Sequence, residues 1–256
     1  MYITRLSIVI VIFALAGCVS TIEKKSRGID KQQALEAHLE LGLSYLQKGD
    51  RDRALRAFTE AQKLDQRSAE AWQGIALVHQ INGEKEQADE KFRKALKSRP
   101  AFSMSNIEMS YAQFLYENDR CDDAKVILEK ARKDISFPNR SRALYMLGLC
   151  ALEAGDTALA RGTFEHTLNI NRRHAGAAIE LADLAFTNRE YAEAKKYLDT
   201  YTENARKRNA RSLWLGIRIE RIFGNKDNEA SYAIALKNLH PYSNEYLEYK
   251  RLGENK

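Results

Sequence analysis

The sequence predicts an all-α solenoid of helix pairs. Three observations carry that prediction: a 34-residue period, a column of small residues that recurs with it, and prolines confined to its junctions. The period is plainest between Leu35 and Phe102. Its first copy carries Leu41, Gly42 and Tyr45, then Gly49 and Asp50, then Ala54, Phe58 and Ala61. Its second carries Trp72, Ile75 and Ala76, then Gly83, then Ala88, Phe92, Ala95 and Pro100. Each copy reads as two antiparallel helices. Gly42 or Ala76 in the first helix lets the second approach closely, Ala54 or Ala88 answers from the other side, and Trp72, Phe58 and Phe92 fill the remaining space. No run alternates at period two for long, so strand signals are absent. With 256 residues, 44% of them hydrophobic, a repeat array can bury a core without being one globule.

The small-residue column continues from Gly42 and Ala76 to Ala112, Gly148, Ala182 and Gly216, at steps of 34, 36, 36, 34 and 34 residues. The second-helix alanine keeps step at Ala54, Ala88, Ala124, Ala160 and Ala194, with bulky partners at Phe58, Phe92, Leu128, Phe164 and Leu198. A sixth copy is less regular: its turn spans Phe223 to Asp227, and Ala230 comes two residues late, as suits an end that must cap the stack. The longer steps place about two extra residues near Ser103 to Ser105 and near Phe137 to Asn139, between repeats, where a loop costs little. Pro100, Pro138 and Pro241 all fall at junctions, since helix interiors exclude proline. Spacing and residue set together resemble the tetratricopeptide repeat, and that resemblance implies a right-handed superhelix of about six repeats. They occupy 35–68, 69–102, 105–138, 141–174, 175–208 and 209–242, with a capping segment at 243–256 in which Tyr246 and Tyr249 follow Tyr242 at helical spacing.

Residues 1–17 hold one early cation, Arg5, and then an apolar run, Leu6 to Leu15. The run is too short to span a bilayer of about 30 Å, which needs about 20 residues, and suits an export signal. Leu15-Ala16-Gly17-Cys18 resembles the bacterial lipobox. The resemblance implies cleavage before Cys18, acyl chains on it, and anchorage to a membrane without spanning it. Val19 in the second mature position implies the outer membrane, with the body in the periplasm. Residues 18–34 then read as the lipidated cysteine and a polar tether, rich in charge from Glu23 to Arg27.

In a tetratricopeptide repeat the fifth, ninth and twelfth residues of the first helix line the concave groove. In the first copy these are Leu39, Leu43 and Leu46, one stripe on one helix face. With Leu77 they form a candidate groove for an apolar or amphipathic peptide, unless residues 29–34 or a neighbouring helix cover it. Gln73, Met109 and Gln113 extend the same column with mixed character, followed by Tyr116, Tyr145, Leu149, Leu152, Ile179, Asp183 and Phe186.

Two cysteines remain after Cys18. Cys121 falls in the turn of the third copy and Cys150 in the first helix of the fourth; stacked repeats bring these positions together, either as a disulfide in an oxidising periplasm or as two separate thiols. The chain carries a formal charge of +6, and the window 195–226 holds nine basic residues against Asp199, Glu203 and Glu220. That window fits an acidic partner or lipid headgroups, or simply a solvated face. Nucleic acid is not expected of an exported protein.

No phosphate-binding glycine loop, nucleophile elbow or zinc-binding helix motif is present, and His38, His79, His166, His174 and His240 are scattered. The expectation is a protein that is not an enzyme, with no cofactor, metal or small-molecule substrate. A lipobox, a short tether, six repeats and a cysteine pair together resemble the type IV pilus biogenesis and stability lipoproteins, the pilotins of the pilus secretin. That resemblance implies binding of the secretin subunit, its delivery to the outer membrane and its assembly into the multimeric pore, in support of twitching motility. Scaffolds for outer-membrane protein assembly or for peptidoglycan enzymes share the same general build.

Overall fold

The computed structural model describes residues 23–100, 104–133 and 135–254, with side chains from residue 30 onward; Cys18 and the signal segment lie outside the described residues. These residues form thirteen α-helices and no strand. They gather into two compact units divided after Phe102.

The first unit holds two helix pairs: α1 (Glu23–Gln47) with α2 (Arg51–Leu64), and α3 (Ala69–Asn82) with α4 (Lys85–Leu96). Capping sets where the helices start. Asp50 accepts from the Arg53 amide at 3.1 Å to open α2, and Ser68 accepts from the Ala71 amide at 3.2 Å to open α3. The turns inside each pair close on Gly49 and Gly83, both in the left-handed region that glycine adopts without strain. Packing turns on Phe58, whose ring lies between two glycines. A Cβ on Gly42 would come within 2.5 Å of it, and one on Gly74 within 2.3 Å. Sequence periodicity picks out Gly42 as the near neighbour; Gly74, from the next pair, is the second wall. Leu35, Leu39, Ala61, Ala71, Ile75 and Val78 complete this core. Two junctions are stitched by backbone: the Arg99 amide donates to the Arg67 carbonyl at 2.9 Å, and the Ala69 amide to the Arg99 carbonyl at 3.1 Å.

Residues Glu23 to Asp30, expected in the tether, belong instead to α1. The stretch from Glu23 to Ala34 holds three Lys, two Gln, and Glu, Arg and Ala, good helix formers that with no proline outweigh Gly28, so the first repeat helix propagates backwards through it.

The second unit holds four pairs and a cap: α5 (Met104–Glu117) with α6 (Cys121–Lys133), α7 (Arg140–Glu153) with α8 (Thr157–Ile170), α9 (Ala175–Thr187) with α10 (Tyr191–Asn204), α11 (Ala210–Ile222) with α12 (Lys226–Leu239), and α13 (Asn244–Glu254). Gly148 and Phe164 repeat the glycine-on-ring contact, at 2.4 Å for a notional Cβ. Asp119 and Arg189 hold left-handed turn positions that Gly49, Gly83, Gly155 and Gly224 hold elsewhere. At the extra residues between the third and fourth repeats, Phe137 is buried, so this insertion adds to the core as well as lengthening a loop.

Cys121, opening α6, and Cys150, within α7, are joined as a disulfide with Cα atoms 5.4 Å apart. It ties the second helix of one pair to the first helix of the next across 29 residues of sequence. Closing such a loop removes unfolded-state entropy worth about 3 kcal/mol. Cys121→Ala is therefore expected to lower unfolding free energy by about 3 kcal/mol while keeping native helicity, as read by urea denaturation followed by circular dichroism. Reductant should bring the parent to the same level; an unchanged midpoint would refute the contribution.

The sixth repeat departs from expectation in an instructive way. Its turn glycine, Gly224, follows Gly216 by eight residues, where Gly49 follows Gly42 by seven. α12 begins ten residues after Gly216, where α2 begins nine after Gly42, and Ala230, the expected packing alanine, is exposed. Ala233 and Leu236 are buried instead, inverting the large-then-small order of Phe58 and Ala61. The ring of Tyr232 takes the place over Gly216. Tyr246 and Tyr249 of α13 pack on this cluster beside Trp214, whereas Tyr242 precedes α13 and is exposed rather than part of the cap.

His174 caps α9, its Nδ1 accepting from the Ala177 amide at 3.1 Å. Burial lowers its pKa, outweighing its backbone hydrogen bond. A histidine whose folded pKa is depressed leaves the unfolded chain holding more protons below the ordinary value of about 6.5, so stability falls as pH drops from there toward the folded pKa. Protonation also removes the capping acceptor. The urea midpoint is expected to decline below about pH 6.5, and His174→Asn, which can still cap, to flatten that part of the profile. Identical profiles for parent and variant would refute the linkage.

Candidate functional site

Six equivalent positions on the first helices, Leu41, Ile75, Tyr111, Leu147, Leu181 and Leu215, show what a repeat does with its neighbours. The last five are buried, but Leu41 is 43% exposed. In tetratricopeptide stacking this side of a first helix meets the preceding repeat, and the first repeat has no such neighbour among the described residues. Leu41 was expected on the packing face; its exposure follows from its place at the end.

The leucines proposed for the groove divide. Leu39 is only 6% exposed, held in the core with Ala71 and Ile75 of the adjacent first helix, so it supports the groove from beneath and does not line it. Leu43, one turn along, is 50% exposed. Leu46 is half-buried against the same core, and Leu77 and Gln73 are half-buried on α3. Ile81, which the sequence reading left out, is 53% exposed and lies one turn beyond Leu77 on the same helix face. Along the groove column of the first unit the accessible apolar side chains are therefore Leu43 and Ile81, bordered by Leu46 and Leu77, with exposed Leu41 on a different face of its helix. Leaving such side chains in water forgoes about 25 cal/mol for each Å² of apolar surface, which an amphipathic segment laid on them would recover.

In the second unit the corresponding column is largely closed. Met109 is buried, a correction to its proposed place in the groove, because the next repeat's first helix packs over that turn. Ile179 is buried likewise. Gln113 donates to Glu117 at 2.7 Å and accepts from Arg142 of the following first helix. Arg211 makes a bidentate pair with Glu180, at 2.9 and 2.8 Å, and reaches Asp183 at 2.7 Å. Hydrogen bonding from Glu180 raises its pKa well above the ordinary guanidinium range despite burial, so it stays charged throughout the accessible pH range. Arg218 lies over the rings of Phe186 and Trp214, with its guanidinium carbon 4.6 and 5.6 Å from their centroids. Tyr145 is pushed up to about 12 by burial first and by Glu180 second. These rungs link successive first helices, so this surface offers fixed polar groups where the first unit offers apolar ones.

The same pairing reduces the basic window. Lys195 binds the buried carboxylate of Glu220, Arg211 and Arg218 face Asp183, and Arg221 meets Glu229 at 2.7 Å. Four of the nine cations are thus neutralised locally. Among the described residues no group of histidine, cysteine and carboxylate side chains is arranged to hold a metal, and no helix is long and apolar enough to cross a membrane.

Stacked helix pairs with glycine-on-ring packing, and an accessible apolar strip on first helices, define a protein of the tetratricopeptide-repeat class. Comparison with known proteins agrees. Two tetratricopeptide-repeat family models match, one at residues 39–101 and 112–178 and the other at 151–213. The type IV pilus assembly protein PilF of Pseudomonas aeruginosa strain PAO1 is 39% identical over 240 residues, 92% of this chain and 93% of that one. A solved structure from a functional characterisation of P. aeruginosa PilF superposes with a TM-score of 0.81 at 38% identity, covering 87% of this chain and 99% of that one. PilW, described as a widely conserved type IV pilus biogenesis factor, superposes at 0.72 with 25% identity, covering 85% and 98%. The chain belongs to the tetratricopeptide-repeat family, in the group that includes PilF.

Proposed function

We propose that this chain is an outer-membrane lipoprotein of type IV pilus biogenesis that binds the pilus secretin subunit and promotes its localisation and multimerisation. The observation that carries the reading is similarity to PilF along nearly the whole of both chains, with the repeats preserved. Two features of the chain supply a mechanism. A lipid on Cys18 gives the address, since several acyl chains at about 0.8 kcal/mol per buried methylene hold a protein firmly on a bilayer. The strip of Leu43, Leu46, Leu77 and Ile81 gives the grip, covering an apolar segment of the secretin subunit that would otherwise self-associate. Catalysis has no part in this reading.

The test is to delete the gene and probe outer-membrane fractions for the detergent-resistant secretin multimer and its monomer. The expected result is loss of the multimer, with monomer left in the inner membrane, and restoration by the parent but not by Cys18→Ala. An unchanged multimer would overturn the reading and direct crosslinking toward partners in outer-membrane protein assembly or peptidoglycan synthesis.

A further inference from the structure

Every pair in this fold has two edges: the turn within a pair, and the junction to the next pair. Charge is distributed unequally between them. Within the second unit, the turns mix signs: Asp119, Asp122, Asp123, Asp156, Glu193 and Asp227 stand with Arg120, Lys125, Arg189 and Lys226, and Arg120 and Lys125 pair with Asp123 and Asp122. The junctions at 171–174 and 205–209 carry Arg172, Arg173, Arg206, Lys207 and Arg208 and no carboxylate at all. All five cations are exposed, and none forms an ion pair with a described carboxylate. Elsewhere in the unit, by contrast, Lys195, Arg211, Arg218 and Arg221 are each matched to an acid.

Helix dipoles do not account for the surplus. Acids at the turns suit the positive ends of the second helices. Turn and junction alike join the end of one helix to the start of another, so the dipoles do not distinguish the two edges. Arg173 and Arg208 even lie just before the N-termini of α9 and α11, where a cation is disfavoured. Nor are these loops loose. Tyr201 donates its hydroxyl to the Lys207 carbonyl at 3.3 Å, His240 of the next junction lies 2.9 Å from the Arg208 carbonyl through Nε2, and Asn171 accepts from the Arg173 amide at 3.1 Å. In the first unit exposed Arg67, Lys97 and Arg99 also sit at junctions, the first beside Asp65, and a backbone hydrogen bond joins Arg99 to Arg67.

We infer that the junction edge of the second unit, formed by Arg172, Arg173, Arg206, Lys207 and Arg208, docks against an anionic phospholipid surface. A row of exposed cations without carboxylate partners, of which Arg208 also lies 6.0 Å over the Tyr232 ring, matches a plane of phosphates, where each basic residue adds to attraction within a Debye length. The occupant follows from the lipid-anchored reading on which this inference rests: a chain tethered to a bilayer meets that surface at high effective concentration, so individually weak contacts suffice. The turn edge, where cations and acids pair with each other, lacks that surplus, so the junction edge alone sets which side of the second unit meets the lipid.

The experiment is hydrogen–deuterium exchange of the full chain on vesicles of phosphatidylcholine alone and of phosphatidylcholine mixed with phosphatidylglycerol. Retention on the neutral vesicles reports the N-terminal anchor; any added effect of the anionic lipid reports the edge. Exchange at 171–174 and 205–209 is expected to slow about tenfold on the anionic vesicles only, and to recover when salt shortens the Debye length to about 4 Å. A chain carrying Arg172→Gln, Arg173→Gln, Arg206→Gln and Lys207→Gln, with unchanged circular dichroism, is expected to lose the effect. Equal exchange on both vesicles, or slowing that survives the four substitutions, would overturn the inference. Failure of retention on neutral vesicles would count against the anchor alone, since binding to the mixed vesicles still reads the edge.

Discussion

Leu43→Glu is expected to abolish assembly of the secretin multimer while leaving the repeat fold intact. Half of the Leu43 surface is already in water, so a charge there changes unfolding free energy by about 0.5 kcal/mol or less. Its effect on a bound apolar segment is much larger, because the carboxylate must be desolvated without a partner. Loss of multimer together with parental circular dichroism and an unchanged urea midpoint is the predicted pair of results. Leu39→Glu does not serve as an equivalent test. Leu39 sits in the core with Ala71 and Ile75, so that variant loses the fold along with any surface it supports. Normal multimers in the Leu43 variant would remove the apolar strip from the mechanism.

Phe58→Ala is expected to destabilise the first unit by about 3 to 5 kcal/mol, toward the upper end of that range. The cost of a deleted ring depends on how far the surroundings relax into the space. Here the walls are Gly42 and Gly74, which have no side chains to move in, and the backbones carrying them are held by helices. Phe58→Leu refills part of the volume and should cost roughly 1 to 2 kcal/mol. Trp72 packs on the same cluster and reports the transition by fluorescence in a Trp214→Phe background. Equal, small losses for both variants would mean that the slot collapses.

The fold was legible because its packing rule is local in sequence. Gly42 and Phe58 belong to one helix pair, 16 residues apart, and the same spacing recurs unchanged at Gly148 and Phe164. The site was less legible because exposure depends on which other helix comes to rest on a position. Leu39 and Leu43 are equivalent in an isolated amphipathic helix, and only the arrival of α3 separates them. Leu41 has the residue type of a core position, and no preceding repeat among the described residues covers it. Ile81 was within reach of sequence reasoning, since it continues the stripe of Leu77 at i+4, and attention to the leucines alone passed over it. Charge misleads in a related way. The window 195–226 is counted along the chain, but its cations find Glu180, Asp183 and Glu229 from outside that window, while Arg206, Lys207 and Arg208 share a junction edge with Arg172 and Arg173.

The single residue inserted between Gly216 and Gly224 acts as punctuation. With α12 begun one residue late, Ala233 and Leu236 stand where the second helices of the first four repeats offer a large and then a smaller side chain, and Tyr246 and Tyr249 close the cluster. A seventh copy of the repeat appended after α12 would meet a surface of the wrong relief. An extra copy spliced between the fourth and fifth repeats would find matching surfaces on both sides. The length of this array is thus recorded in the chain as a frameshift in side-chain size, and lineages that lengthen or shorten it are expected to do so from the interior.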